Sequence, residues 1–305
     1  MKILYAGSSQ SSSLILESLI AGSNEVIGVI SQPDRRSKRR ASAEPSYVSS
    51  VAEKYGVSVY KPQNLDENFK QTILQLKFDI LLVAAYGKIL PEWLLKTPSK
   101  DSINIHYSLL PKYRGASPIQ SALLNSEKIT GISIMRMTAG LDEGPVFVFH
   151  TQEILNSDNK ITLEKKLTSL SIENIEKDLS NIYLDKIVPI KQDVKNTSYC
   201  KKIDKLSGRI NFDQEVADNV LRKYKAYYGW PGLYFEWKEL KIKIHGIAIN
   251  KNNTSNTNNK IFFKDNLLVV ETVDKSIVIT HLQFPGKGII SSKDAANSYA
   301  EFFQE

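Results

Sequence analysis

The chain has 305 residues, 42% hydrophobic and 24% charged, which is enough apolar material for packed cores and excludes wholesale disorder. That length predicts two domains, or one large domain with an appendage. A single cysteine, Cys200, excludes a disulfide scaffold or a cysteine-based zinc site and predicts a reducing compartment.

The longest apolar run, Ile80–Tyr86, is far short of the roughly 18–20 residues that span a bilayer. Met1–Gly7 reads as a strand and not as a signal-peptide core. A soluble, cytoplasmic protein is expected. Forty Lys+Arg against 33 Asp+Glu leave a net charge of +7. Residues 1–190 hold 22 basic and 20 acidic side chains, residues 191–305 hold 18 and 13, so the shorter C-terminal part is the more basic. Arg35, Arg36, Lys38, Arg39 and Arg40 put five cations into six residues. Like charges at that density repel, so they belong on a solvated loop, either alone or facing a polyanion.

In chain order, Lys2–Ala6 predicts a short strand, Gly7–Ser13 a turn that can cap a helix, and Leu14–Ile20 a helical stripe. Glu25–Ser31 predicts a second strand ending at Gln32-Pro33-Asp34. Asp79–Ala85 has the unbroken apolar character of a strand buried on both faces. Ile103–His106 is a short strand, Pro118–Leu124 starts a helix, and Gly131–Met137 alternates as a further strand. Ile161–Tyr183 is a long amphipathic helix. Strands separated by helices predict an open, doubly wound, mostly parallel α/β sheet of Rossmann-like type.

Val188–Asn196 has the composition of a linker. After a helix at Glu215–Ala226, short β-like runs follow at Gly232–Trp237, Leu240–Ile249, Lys260–Phe263, Leu267–Thr272 and Ser276–Leu282. These predict a small, OB-like β-barrel. Asn250–Asn259 reads as a hairpin tip. The predicted division is 1–187, a linker at 188–202, and 203–305.

Several chemistries are disfavoured. Gly7-Ser8-Ser9-Gln10 is not a dinucleotide fingerprint, no phosphate-binding G-x-x-x-x-G-K-[ST] loop is present, and the four histidines have no metal-binding spacing. What remains is Asn104-Ile105-His106-Tyr107-Ser108-Leu109-Leu110-Pro111. On a strand Asn104 and His106 share a face, at the end where open α/β sheets place their ligands. An amide beside an imidazole can hold a carbonyl oxygen and move a proton, the minimum for acyl transfer. In Leu141-Asp142-Glu143-Gly144-Pro145, Asp142 is an acid that could orient His106. A lone histidine at a strand end also fits a purely structural role.

Order and spacing together go further. Asn104-x-His106-x-Ser108-Leu109-Leu110-Pro111 followed by Leu141-Asp142-x-Gly144-Pro145 resembles the formyltransferases that use 10-formyltetrahydrofolate. The match extends to segments typical of the members acting on methionyl-tRNA. These are Gln32-Pro33-Asp34-Arg35, Ala85-Tyr86-Gly87-Lys88-Ile89-Leu90-Pro91, Tyr113-Arg114-Gly115-Ala116-Ser117-Pro118-Ile119-Gln120, Ile210-Asn211-Phe212, Trp230-Pro231-Gly232 and Leu282-Gln283-x-x-Gly286-Lys287.

The resemblance implies formyl transfer to the α-amine of methionyl-initiator-tRNA, with Asn104, His106 and Asp142 as the catalytic trio. It implies a folate cleft at Tyr86, Gly87, Ser108, Leu109, Leu110, Pro111 and Asp142, tRNA contacts from Arg35, Arg36, Lys38, Arg39 and Arg40, and no metal. A monomer with no membrane partner is expected. An alternative with the same trio formylates a small amine, such as an amino-sugar nucleotide or glycinamide ribonucleotide. Another is an RNA-binding protein on a degenerate scaffold. The chain departs from the family at Gly7-Ser8-Ser9-Gln10-Ser11, where Gly-Thr-Pro-Glu-Phe is usual. It also lacks glycines in the basic loop, and has Ser49 where a lysine is often found.

Overall fold

The computed structural model describes residues 1–36, 43–250 and 260–303. The chain divides into two compact units. Met1–Pro118, Lys128–Leu155 and Leu163–Lys201 form the first; Ile119–Glu127, Asn156–Thr162 and Lys202–Glu305 form the second.

The chain opens with β1 (Lys2–Gly7), α1 (Gln10–Ala21), β2 (Glu25–Ile30) and the short pair β3 (Arg35–Arg36) and β4 (Ala43–Glu44). Next come α2 (Tyr47–Lys54), β5 (Val59–Tyr60), α3 (Glu67–Leu74), β6 (Ile80–Ala84), α4 (Glu92–Leu95) and β7 (Asp101–His106). β8 (Arg114–Gly115), α5 (Pro118–Leu124), β9 (Ile129–Arg136), β10 (Val146–Glu153), α6 (Lys160–Tyr183) and β11 (Tyr199–Cys200) follow.

Seven strands pair in the order β10-β9-β7-β6-β1-β2-β5. β5, β2, β1, β6 and β7 run parallel. β9 is antiparallel to β7, and β10 to β9. From β1 the chain builds outward on one side and then returns to the other, so a crevice opens beyond the C-terminal ends of β1 and β6. Ile3, Leu4, Tyr5, Ala6, Ile80, Leu81 and Leu82 are fully buried. Both faces of these central strands are covered, which is why their sequences do not alternate.

β1 ends on Gly7, where there is no room for a side chain: a Cβ would lie 1.9 Å from Ser12 Oγ and 2.9 Å from the Ala84 carbonyl. The serine-rich turn that follows caps α1, with Ser9 Oγ accepting from the Ser12 N–H at 3.1 Å. α6 buries Leu163, Leu167, Ser171, Ile175 and Leu179 on one stripe. Asp178, on that buried side, accepts from His150 Nε2 at 2.7 Å, as a buried carboxylate requires.

Sequence patterning misses β10, whose Val146-Phe147-Val148-Phe149 start does not alternate. It also misses the two-residue β5, too short to have a period. Of residues 188–202, linker-like in composition, those up to Lys201 belong to the first unit. Ile190 bridges Val146, and β11 pairs in parallel with β8.

In the second unit α7 (Ala217–Ala226) precedes β12 (Leu233–Trp237), β13 (Leu240–Ile249), β14 (Ile261–Lys264), β15 (Leu267–Glu271), β16 (Ser276–Gln283), β17 (Ile289–Ser291) and α8 (Ser292–Tyr299). The OB-like sheet is antiparallel, ordered β12-β13-β16-β15-β14, with β17 also on β16. One edge of β16 is shared, its first half pairing with β15 and its second with β17. Two-residue turns at Lys238-Glu239 and Asp265-Asn266 have positive φ, as tight hairpins need. Of the predicted hairpin tip, residues 251–259 lie outside the described residues. Among the described residues no helix is long and apolar enough to cross a membrane.

The core of this unit ends in an aromatic cluster. Phe303 is 1% exposed and lies 5.6 Å from Phe263, 6.3 Å from Trp237 and 6.2 Å from Phe284, centroid to centroid. Phe303→Ala should therefore destabilise the second unit by about 3–5 kcal/mol. A urea titration followed by tryptophan fluorescence checks this; an unchanged midpoint would mean that the cluster is not a core.

Candidate active site

β7 is flanked by β6 and β9, with Asn104 opposite Val83 on one side and Met135 on the other, and His106 opposite Ser133. The two-residue period puts the Asn104 and His106 side chains on one face at the strand's C-terminal end. Asn104 is half-buried, and its side-chain amide has no hydrogen-bond partner among the described residues. His106 is buried, with Nε2 at 2.9 Å from the Tyr113 carbonyl. A carbonyl only accepts, so Nε2 carries the proton. Nδ1 then faces Asp142, whose Oδ2 is 3.7 Å away.

Asp142 lies between β9 and β10. Because β9 runs against β7, this loop starts beside Ser102, where the Met137 N–H donates to the Ser102 carbonyl at 2.8 Å. It must fold back over β7 to reach His106. Asp142 itself has φ +50°. Three contacts hold it there. Its Oδ2 accepts the Gly115 N–H at 2.8 Å, and its carbonyl accepts from Gln192 Nε2 at 2.8 Å. Gln192 Nε2 also donates to the Gly144 carbonyl at 2.7 Å. Gly115 has φ +110°, and a Cβ there would lie 2.5 Å from the Cys200 carbonyl, so only glycine can aim this N–H at Asp142. Gln192 Oε1 accepts from Nε and Nη2 of the buried Arg114, at 3.0 and 2.8 Å.

The loop after His106 is pinned from below. The buried Ser133 hydroxyl donates to the Ser108 carbonyl at 2.6 Å and accepts the Leu110 N–H at 3.0 Å. Ser108 Oγ is committed to the Lys112 carbonyl at 2.6 Å, and Leu110 packs with Met135 and Val146. Ser108 and Leu110 therefore offer a ligand only backbone groups. Leu109 and Pro111 are half-buried beside them.

At the end of β6, Tyr86 belongs to the core formed with Leu4, Ala6, Ile30 and Val83. Its hydroxyl is buried without a partner among the described residues, and burial pushes the phenol up to about 12. Gly87 is exposed at φ +79°, and Gln32 Nε2 donates to the Tyr86 carbonyl at 2.9 Å. Among the expected tRNA contacts, Arg35 and Arg36 form β3; Lys38, Arg39 and Arg40 lie outside the described residues.

Asn104, His106, Asp142 and the backbone of Ser108–Pro111 thus gather at the end of β7, with Gly87 at the end of the neighbouring strand. Together they offer an unengaged amide donor, an imidazole with one committed proton, and a carboxylate. Such a set can stabilise an oxyanion and carry a proton. Among the described residues no group of three His, Cys, Asp or Glu is arranged to hold a metal. Sequence reasoning passed over Tyr113, Gly115, Ser133 and Gln192. Tyr113 and Gly115 lie inside a segment already singled out, but a glutamine in a linker-like stretch leaves no signal.

The family model described as formyl transferase matches residues 1–177, and that described as formyl transferase, C-terminal domain, matches residues 202–300. Methionyl-tRNA formyltransferase of Buchnera aphidicola subsp. Acyrthosiphon pisum (strain Tuc7) is 37% identical over 308 residues, covering 100% of this chain and 98% of the relative. The enzyme of that name from Caldicellulosiruptor saccharolyticus is 35% identical over 305 residues, covering 98% and 97%.

Among solved structures, a variant of HypX from Aquifex aeolicus superimposes with a TM-score of 0.68 at 17% identity, over 100% of this chain but 48% of its own. The chain thus spans about half the length of HypX. The sugar 3N-formyl transferase WlaRD, solved with dTDP and 5-N-formyl-THF, gives 0.67 at 19% identity over 94% and 99%. At such identities the structural likeness speaks for the fold, whereas the near-full-length sequence matches speak for descent. By those matches the chain belongs to the methionyl-tRNA formyltransferase family.

Proposed function

We propose that the chain transfers the formyl group of 10-formyltetrahydrofolate to the α-amino group of methionyl-initiator-tRNA, with Asn104, His106 and Asp142 carrying the reaction. The observation that supports these roles best is the fixed tautomer of His106, with Nδ1 turned toward Asp142.

The amine must attack the formyl carbon unprotonated. As the new C–N bond forms, charge gathers on the formyl oxygen, where the Asn104 amide donates. His106 Nδ1 takes the proton lost by the amine and returns it to N10 of the folate as the C–N10 bond breaks. Asp142 steadies the imidazolium in between. The flat, hydrogen-bond-rich pterin suits the backbone groups at Gly87 and Ser108–Pro111. In this reading residues 1–187 carry the catalytic side chains, residues 188–202 connect the two parts and brace the site loops, and residues 203–305 bind tRNA, in a cytoplasmic monomer.

Alanine at Asn104, His106 or Asp142 should each lower kcat by about 10²-fold or more. Single-turnover rates on folded enzyme check this. Residues acting as a unit lose less together than the product of their separate losses. A fully multiplicative loss for the His106/Asp142 pair would overturn the coupled trio.

RNA binding has support in both units. β3 follows β2, whose C-terminal end borders the crevice, and its root is held where the Gln32 N–H donates to Ser8 Oγ at 3.1 Å. In the second unit Lys241, Lys243 and His245 are exposed along β13 while Ile242 and Ile244 between them are buried. That is a cationic stripe at two-residue spacing. Lys243 and His245 also line a cavity of about 260 Å3 with Tyr224, Tyr227 and Tyr228.

Replacing the five cations of residues 35–40 by serine should weaken tRNA binding. The slope of log K against log salt should flatten by roughly 0.7–0.9 per lost phosphate contact. Folate affinity should hold. Lys241→Ala with Lys243→Ala should flatten the slope independently. Filter binding across a salt series checks both, and an unchanged slope would reduce either group to a solvated charge run.

A further inference from the structure

We infer that Gln192 is a positioning residue for formyl transfer, acting through Asp142; the inference rests on the reading of Asp142 as catalytic. Each polar atom of its amide is committed. Nε2 donates to the carbonyls of Asp142 and Gly144 at 2.8 and 2.7 Å, and Oε1 accepts from two nitrogens of Arg114 at 3.0 and 2.8 Å. Arg114 can only donate and the carbonyls can only accept, so the amide fits in one orientation.

The two ends of this strut meet the same carboxylate by different routes. One holds the backbone of Asp142 in its left-handed conformation, at φ +50°, which an aspartate keeps only where its surroundings enforce it. The other holds Arg114, whose neighbour Gly115 donates its N–H to Asp142 Oδ2 at 2.8 Å. Arg114 is itself kept in place by the Tyr199 ring, 5.9 Å from the guanidinium carbon, and by its 4% exposure. Gln192 thereby fixes both the main chain of Asp142 and the donor that aims its side chain at His106.

Gln192→Glu separates positioning from stability. The carboxylate keeps its pair with Arg114, and so the packing, but has no N–H for the two carbonyls. This variant should still unfold cooperatively, with a midpoint lowered only modestly by the two unpaired carbonyls, while kcat falls about 10²-fold, the cost of a misplaced catalytic group. KM for the folate and for methionyl-tRNA should change little. Gln192→Ala combined with Asp142→Ala should be no slower than Asp142→Ala alone. Parental kcat in Gln192→Glu, or a double variant losing the full product of the single losses, would overturn the inference. So would loss of fold in both Gln192 variants, which would make the residue one of stability alone. Parental turnover in Asp142→Ala would instead overturn the catalytic reading, and the inference with it. A slow Asp142→Ala beside a fully active Gln192→Glu would overturn the inference alone.

Discussion

His106 Nε2 lies 2.9 Å from the Tyr113 carbonyl, and since that oxygen can only accept, one ring nitrogen is committed to the fold and the other is left facing Asp142. The turn that presents this carbonyl is not self-supporting. Tyr113 has φ +59°, its N–H donates to Ser198 Oγ at 2.9 Å, and its carbonyl also accepts from the Cys200 thiol at 3.4 Å. The tautomer of the central histidine therefore depends on chain more than 80 residues downstream. A stretch that looks like a connection between domains is part of the frame around His106.

The sheet explains why such bracing is needed. Its parallel strands are buried on both faces and deliver Asn104 and His106 without further help. Asp142 arrives by a less direct route. An antiparallel strand carries the chain away from the end of β7, and the following loop has to come back across it. A loop that returns over a sheet makes no ladder of its own, so its backbone groups need other partners. Gly115, Gln192 and the Arg136 N–H, which donates to the Pro145 carbonyl at 2.9 Å, are those partners.

Much of this was legible in the residues and some could not be. β1, β6 and β13 are readable because their environments have a simple period, fully buried for the first two and alternating for the third. Asn104 and His106 are readable because strand period and sheet end place them together. Tyr86 reads as a cleft residue, but its ring is spent on the core, since a tyrosine ending a buried strand carries no mark of the side it faces. Ser108 and Leu110 are likewise inside a recognisable motif, yet their side chains are buried and engaged within the fold. Gln192 was illegible for another reason. Its Nε2 meets backbone carbonyls some 50 residues away, and backbone groups have no sequence; its Oε1 meets Arg114, 78 residues away, with no spacing to mark the pair.

The neutrality of Gln192 is itself a constraint on the chemistry. Arg114 is a permanently charged group at 4% exposure, and Glu143, whose carboxylate lies 3.8 Å from it, is half-exposed. A guanidinium so placed would capture Asp142 in a two-pronged pair if the geometry allowed. The amide oxygen of Gln192 occupies two of its nitrogens instead, and the amide nitrogen turns to the carbonyls of Asp142 and Gly144. The carboxylate is left with a single backbone N–H and an open approach to His106. An amide in that position satisfies the buried cation without spending the anion, and it is the anion that the proposed proton transfer at His106 calls on.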